Sequence, residues 1–148
     1  MKSTIFRKIM VATDGSELVK RAVNLAIEIA KLSEAKLYAV YVIDLKSHNS
    51  INHPGAEDKE ATAYVEKIGR VANVEVESII LEGNPANEII DFAEKNDIDL
   101  IVIGTQGKTG IQSFLIGSVS ENVVRHSERA VLVVKGESAD LLLKALLK

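Results

Sequence analysis

Glycine residues cluster directly after a continuous apolar segment in the second half of the chain. The apolar segment covers residues 100–103, and glycines follow at positions 104, 107, 110 and 117, with a serine at 118. Glycine adopts positive φ readily and lets a ligand approach main-chain N–H groups without a Cβ in the way. A loop of such N–H groups that leads into a helix N-terminus favours bound anions. The spacing therefore predicts a phosphate site, and the chemistry it indicates is nucleotide binding.

Two common phosphate-binding motifs do not match this glycine cluster. The P-loop requires a glycine two residues before the cluster, where the chain has Val102. The dinucleotide fingerprint requires a Gly-x-Gly start, which the cluster lacks. Without further information, glycines that only form a turn are an equally good interpretation. The pattern that is present is Gly-x2-Gly-x9-Gly-Ser, formed by Gly104, Gly107, Gly117 and Ser118.

Segments of strand and helix character alternate along the chain and must position this loop. Apolar runs predict strands at 9–12, 36–43, 100–103 and 130–134, and an alternating run predicts a strand with one wetter face at 74–81. Helical spacing of apolar residues predicts helices around 18–30, 57–69, 85–93 and 118–127. The order βαβαβαβαβ is typical of an α/β fold. We expect a single-domain, doubly wound, five-stranded parallel sheet with helices on both faces.

Two of the predicted helices begin with sequence signals. Asn84 is followed by Pro85, which predicts an asparagine N-cap with proline in the first helical position. Ser118 and Glu121 have the spacing of a capping box, so Ser118 is the predicted N-cap of the last helix. In that helix Val124 is expected to face inward, together with Val119 and Val123. Residues 44–56 are predicted to be a loop, and residues 137–148 a short C-terminal helix.

Composition and charge exclude several classes of function. The chain has 148 residues, a net charge of −3 and no cysteine. We therefore expect one domain across residues 1–148, without disulfides or thiolate metal sites. The charge does not favour binding to nucleic acid or to a membrane surface. No apolar run approaches the roughly 20 residues that span a bilayer. A cytoplasmic protein is the simplest interpretation.

Motifs spread from Lys8 to Lys135 resemble those of universal stress proteins of the ATP-binding type. Besides the glycine pattern, the motifs lie at 11–16, 41–44, 83–86, 99–104 and 117–123. The resemblance implies a Rossmann-like sheet with strand order 3-2-1-4-5 and a bound adenine nucleotide. ATP is the expected ligand, with AMP or ADP as alternatives.

The resemblance also implies roles for particular residues. The glycines and Ser118 would hold the phosphates, Lys108 would reach a terminal phosphate, and main-chain groups of Val42 would meet the adenine edge. Asp14 would lie near the ribose or a Mg²⁺ ion, although a role in the turn alone is the competing interpretation. A side chain at position 117 is expected to weaken ligand binding far more than folding. The full set of expected nucleotide-binding residues is Ala12, Thr13, Asp14, Val42, Gly104, Gly107, Lys108, Gly117, Ser118, Val119 and Ser120.

Three functions are compatible with these features. The first is a stress-related regulatory module that changes state when ATP binds and acts on an unidentified protein partner. The resemblance also implies a homodimer through the last strand at 131–134. The second is a slow ATP-hydrolysing or phosphoryl-transfer enzyme. No residue is predicted to be catalytic, because the sequence offers no recognisable arginine finger or water-orienting base. Gln106 stands where many members of the family it resembles carry a histidine, and glutamine is not a general base. The third is a nucleotide-free scaffold in which the glycines only form a turn.

Overall fold

The computed structural model describes residues 5–44, 56–105 and 117–135. Strands and helices alternate in the predicted order, and all neighbouring strands are parallel. The strand order is β3-β2-β1-β4-β5, which confirms the doubly wound sheet with order 3-2-1-4-5. The elements are β1 (Lys8–Ala12), α1 (Glu17–Ser33), β2 (Lys36–Ile43), α2 (Ala56–Ala72), β3 (Val76–Glu82), α3 (Pro85–Lys95), β4 (Leu100–Gly104), α4 (Ser118–His126) and β5 (Ala130–Val134).

Helices cover both faces of the sheet and give the protein two hydrophobic clusters. On one face α1 and α2 pack on alternate strand residues such as Val11 and Val102, which are fully buried. On the other face α3 and α4 pack on the intervening residues, among them Met10 and Ile101. Because both faces of the central strands are covered, β1, β2 and β4 are continuous apolar runs rather than alternating patterns, apart from the lysines that begin β1 and β2.

The main differences from the sequence prediction lie in α2, β3 and α4. Helix α2 continues to Ala72, three residues beyond the predicted end, and strand β3 begins at Val76 instead of residue 74. β3 is an edge strand, and its Ile80 is 43% exposed because an edge receives less cover from the helices. Val124 was predicted to face inward and is 48% exposed. Helix α4 has only nine residues, and its buried positions are filled by Ser120 and Val123.

The predicted N-cap of α3 is confirmed, whereas that of α4 is wrong by one residue. The Asn84 side chain accepts a hydrogen bond from the main-chain N–H of Asn87 at 3.1 Å, and Pro85 is the first helical residue. In α4 the N-cap is Gly117, whose carbonyl accepts the N–H of Glu121 at 2.9 Å. Ser118 is consequently the first residue of the helix, and no side chain caps its N-terminus.

The central strand β1 ends before its two neighbours do. Its register with β2 ends at the pair Ala12–Val40, and its register with β4 ends at Val11–Val102. Beyond these pairs β2 continues to Ile43 and β4 to Gly104. The order of the strands reverses at β1, and ligands of doubly wound sheets bind at such a point. The early end of β1 leaves a gap there.

No helix in the described ranges combines the length and the hydrophobicity that crossing a membrane requires.

A cleft at the carboxyl edge of the sheet

A cleft of about 510 Å³ opens at this gap. The volume lies within the range of small-molecule sites, which is roughly 300–1,000 Å³. Its walls come from the ends of β1, β2 and β4, from the turn after β1, and from the first residues of α3 and α4. The lining residues are Ala12, Thr13, Asp14, Val19, Val40, Tyr41, Val42, Asp44, Pro85, Ile89, Ile103, Gly104, Thr105, Gly117, Ser118 and Val119.

The turn between β1 and α1 is fixed by its own polar side chains. The hydroxyl of Thr13 accepts the N–H of Gly15 at 3.2 Å and donates to the carbonyl of Ala61 in α2 at 3.4 Å. The Asp14 carboxylate accepts the N–H of Ser16 at 2.9 Å. Gly15 has φ +79°, and a Cβ there would lie 3.2 Å from the Cα of Ala61. The turn therefore requires glycine at this position, and Asp14 stabilises the turn whether or not it meets a ligand.

Val42 presents its main chain to the gap left by β1. Along β2 the main-chain groups alternate in direction: the carbonyl of Val40 accepts the N–H of Thr13, and the carbonyl of Ile43 accepts the N–H of Gly83 beyond β3. Val42 has the parity of Val40, so its N–H and C=O point toward the β1 side. The register gives Val42 no partner on β1, which has already ended at Ala12.

The opposite wall of the cleft is the junction between β4 and α4. The N–H of Gly117 donates to the carbonyl of Thr105 at 2.9 Å. Ser118 is exposed at the first helical position and lines the cleft. Two residues further along α4, the buried Ser120 donates its hydroxyl to the carbonyl of Gly104 at 2.6 Å. The positive end of the α4 dipole therefore borders the cleft.

The charged side chains of the described lining are acidic, so they favour a cation, or an anion whose charge is neutralised by a bound cation. Among the described residues that line the cleft, the charged ones are Asp14 and Asp44. No group of three or more His, Asp or Glu residues in the described ranges is arranged to hold a metal ion. Because no basic side chain is found in the described lining, positive potential at the wall between β4 and α4 comes from main-chain N–H groups and from the start of α4.

Most of the residues predicted for the site line the cleft together. Those that do are Ala12, Thr13, Asp14, Val42, Gly104, Gly117, Ser118 and Val119. Ser120 lies behind the wall, bonded to Gly104, and is not part of the lining. Gly107, Lys108 and the predicted helix at 137–148 fall outside the described residues.

Sequence reasoning missed the walls contributed by Asp44, Pro85 and Ile89. A signal for them was available. Asp44 directly follows β2, and Pro85 begins the helix that follows β3, so both belong to connections that leave the same edge of the sheet. The motifs at 41–44 and 83–86 include Asp44 and Pro85, but neither residue was predicted to be part of the site.

A doubly wound parallel sheet with an open cleft at its switch point defines a class of α/β proteins that bind ligands beyond their strand ends. The sequence model of the universal stress protein family matches residues 5–135. A universal stress protein of Methanocaldococcus jannaschii is 41% identical over 141 residues, which cover 88% of this chain and 83% of that protein. The chain belongs to the universal stress protein family.

Solved structures of this family have the same architecture. A universal stress protein in complex with cAMP superposes with a TM-score of 0.73 at 28% identity, covering 90% of this chain and 100% of the other. A universal stress protein from Archaeoglobus fulgidus in complex with dAMP gives a TM-score of 0.71 at 27% identity, covering 89% and 100%.

Gly117 was expected to matter mainly for the ligand, but the structure shows a constraint within the protein itself. A Cβ at this position would lie 2.7 Å from the carbonyl oxygen of Thr105, and main chain must then shift. We predict that Gly117→Ala lowers the free energy of unfolding by about 1–3 kcal/mol, as overpacked sites do. Urea unfolding without any ligand measures this. Ser118→Ala, at the exposed neighbouring position, should stay within about 0.5 kcal/mol of wild type. Equal midpoints for Gly117→Ala and wild type would show that the carbonyl moves aside without cost.

Proposed function

We propose that this protein binds an adenine nucleotide in the cleft at the end of β1 and acts as a regulatory module. ATP is the proposed ligand, with AMP and ADP as alternatives. The observation that carries the proposal is the arrangement of the two walls. Val42 offers a main-chain donor and acceptor on one side, and the start of α4 offers a positive dipole on the other. The relatives in complex with cAMP and dAMP support an adenine nucleotide as the ligand.

The wall at β2 fits adenine better than guanine. The free N–H and C=O of one residue form a donor next to an acceptor. The Watson–Crick edge of adenine presents the complementary pair, since its N1 accepts and its 6-amino group donates. Guanine presents the pair in the opposite order, so it would have to turn over to make both bonds, and its ribose would then point away from the proposed position near Asp14. Ile89 is buried and Pro85 half-buried beside this wall, which gives the base an apolar surface to lie against.

The wall at α4 fits phosphate. Ser118 adds a hydroxyl to the main-chain N–H groups of the first helical turn, and these groups have no acceptor within the helix itself. The predicted roles of Gly107 and Lys108 complete this side, with the lysine as a point charge on a terminal phosphate. We therefore propose that the nucleotide spans the cleft from Val42 to Ser118, with its ribose near Asp14.

Mg²⁺ is the cation that would accompany ATP here. In nucleotide sites it is held by one or two carboxylates together with phosphate oxygens and water. Asp14 and Asp44 supply carboxylates in the lining, which fits that requirement. The ion would neutralise phosphate charge close to two acidic side chains.

Regulation through binding is the function we favour over catalysis. Phosphoryl transfer needs a positioned nucleophile and stabilisation of the developing charge. The described lining contains no histidine, lysine or arginine that could serve. A slow ATPase is the second candidate, because Asp14 and Mg²⁺ together could orient a water molecule. The stress response, the unidentified protein partner and the cytoplasmic location stay predictions.

We also propose a homodimer through β5. This strand ends the sheet, and its side chains at 131–134 are all apolar. The N–H of Thr105 donates to Val134, so the main chain of Val134 faces β4 and that of Val133 faces outward. An apolar edge with unpaired donors and acceptors pairs readily with another strand.

Substitutions at Val42 separate main-chain recognition of the base from side-chain packing. Val42→Pro removes the N–H, whereas Val42→Ala keeps it. We expect at least about a tenfold loss of adenosine affinity for the proline variant and a change within about twofold for the alanine variant. Isothermal titration calorimetry with adenosine and guanosine measures both. Equal affinity for the two nucleosides in wild type would contradict the proposed base contact.

The charge of Asp14 tests the proposed role of Mg²⁺ and the rival function. Asp14→Asn keeps an oxygen for the N–H of Ser16 and removes the charge. Its affinity for ATP with Mg²⁺ should fall by about tenfold, and its affinity for AMP without Mg²⁺ should not fall. Asp91→Asn, at a surface ion pair with Lys95, is the matched control. Sustained phosphate release by wild type that Asp14→Asn abolishes would favour the ATPase.

A proline at the proposed interface tests the dimer. Proline is tolerated on an edge strand where the N–H faces outward, yet it prevents another strand from pairing there. We expect Val133→Pro to be monomeric and Val133→Ala to remain dimeric in sedimentation equilibrium at the same concentration. A wild-type protein that sediments as a monomer would refute the interface.

A further inference from the structure

Ser120 is a buried hydroxyl that joins two walls of the fold at the cleft. It is the third residue of α4, is 3% exposed, and donates to the carbonyl of Gly104 at 2.6 Å. Gly104 is the last residue of β4 and lines the cleft. Because the N–H of Thr105 donates to Val134 on β5, the main chain of Gly104 faces the opposite side, toward β1 and the gap.

A second bond is made by Thr105, the residue that follows β4. The N–H of Gly117 donates to the carbonyl of Thr105 at 2.9 Å. Consecutive carbonyls at the end of β4 therefore hold two positions in the first turn of α4. One bond would let the helix pivot about it, whereas two bonds fix its direction. Ser118 lies between the two attached positions, so its placement in the cleft depends on both.

We infer that Ser120 is a positioning residue for the phosphate side of the site and does not touch the nucleotide. Its hydroxyl holds the N-terminus of α4 against the end of β4. The same hydrogen bond gives the Gly104 carbonyl oxygen a donor, so that its partial negative charge is not directed unpaired into the gap. The inference rests on the proposed nucleotide function. It predicts that loss of the hydroxyl weakens the binding of phosphates and leaves the binding of the nucleoside part unchanged, because the base lies at the β2 wall.

The test compares ATP with adenosine on Ser120→Ala. We expect ATP affinity to fall by about 5- to 10-fold, the effect of one lost hydrogen bond, while adenosine affinity stays within about twofold. Ser78→Ala is the matched control. It also removes a serine hydroxyl bonded to a partner, Glu66, but in β3, at the opposite edge of the sheet from β5. Its ratio of ATP to adenosine affinity should equal that of wild type.

Each outcome decides between the possibilities. Equal losses for ATP and adenosine in Ser120→Ala, or an unchanged ratio, would overturn the inference while leaving the proposed function standing. A wild-type protein that binds neither ligand would overturn the proposed function and this inference with it. If Ser120→Ala does not fold, Ser120→Cys keeps the side-chain volume with a weaker donor. It should then show the same selective loss for ATP, and an unchanged ratio there would also refute the inference.

Discussion

The early end of β1 is the constraint on which the rest of the site depends. A central strand normally receives hydrogen bonds from neighbours on both sides along its whole length. Here the register stops at Ala12 on one side and at Val11 on the other, while β2 and β4 continue. Main-chain groups of the two longer strands are thereby turned toward a gap that no strand fills. A short strand in the middle of the sheet thus gives the cleft main-chain donors and acceptors, and neither charged side chain in its described lining, Asp14 or Asp44, is buried.

Glycine serves the protein and the proposed ligand in different ways at different positions. Gly15 is required because its φ is positive and Ala61 lies close by. Gly117 has an ordinary φ of −65°, but the Thr105 carbonyl occupies the space that a side chain would take. The glycine pattern that predicts a phosphate site therefore also reflects the close approach of the main chain at Gly117 to that at Thr105. The motif and the packing constraint coincide at Gly117.

The sequence was sufficient for the architecture and for much of the cleft. Continuous apolar runs located β2 and β5 to the residue, because each run of apolar residues ends at a polar residue, Asp44 after β2 and Lys135 after β5. The bounds of β3 and the orientation of Val124 were predicted less well, because neighbouring elements cover these parts of the sheet and of α4 only partly. The edge strand β3 began later than expected, and Val124 proved exposed. The N-cap of α4 was misplaced because Gly117 is fixed by the Thr105 carbonyl, a contact between segments that local spacing does not encode.

The role of Ser120 was beyond sequence reasoning for the same reason. Its residue type is compatible with a ligand contact, and only the position of the Gly104 carbonyl shows where the hydroxyl goes. For Val42 the proposed role involves the main chain, and the apolar side chain gives no indication of it. Its N–H and C=O point toward the gap, and this direction follows from the register of β2 with β1.

The two borders of the sheet differ in character, and this difference would limit the size of an assembly. β3 carries exposed Glu77 and Glu82, and Glu77 pairs with Lys36 on the adjacent strand, whereas β5 is entirely apolar. If two copies joined at β5, both outer borders of the resulting ten-stranded sheet would be acidic β3 strands. Like charges would then meet at any further junction. A junction of two β3 strands would therefore be less favourable than the one at β5.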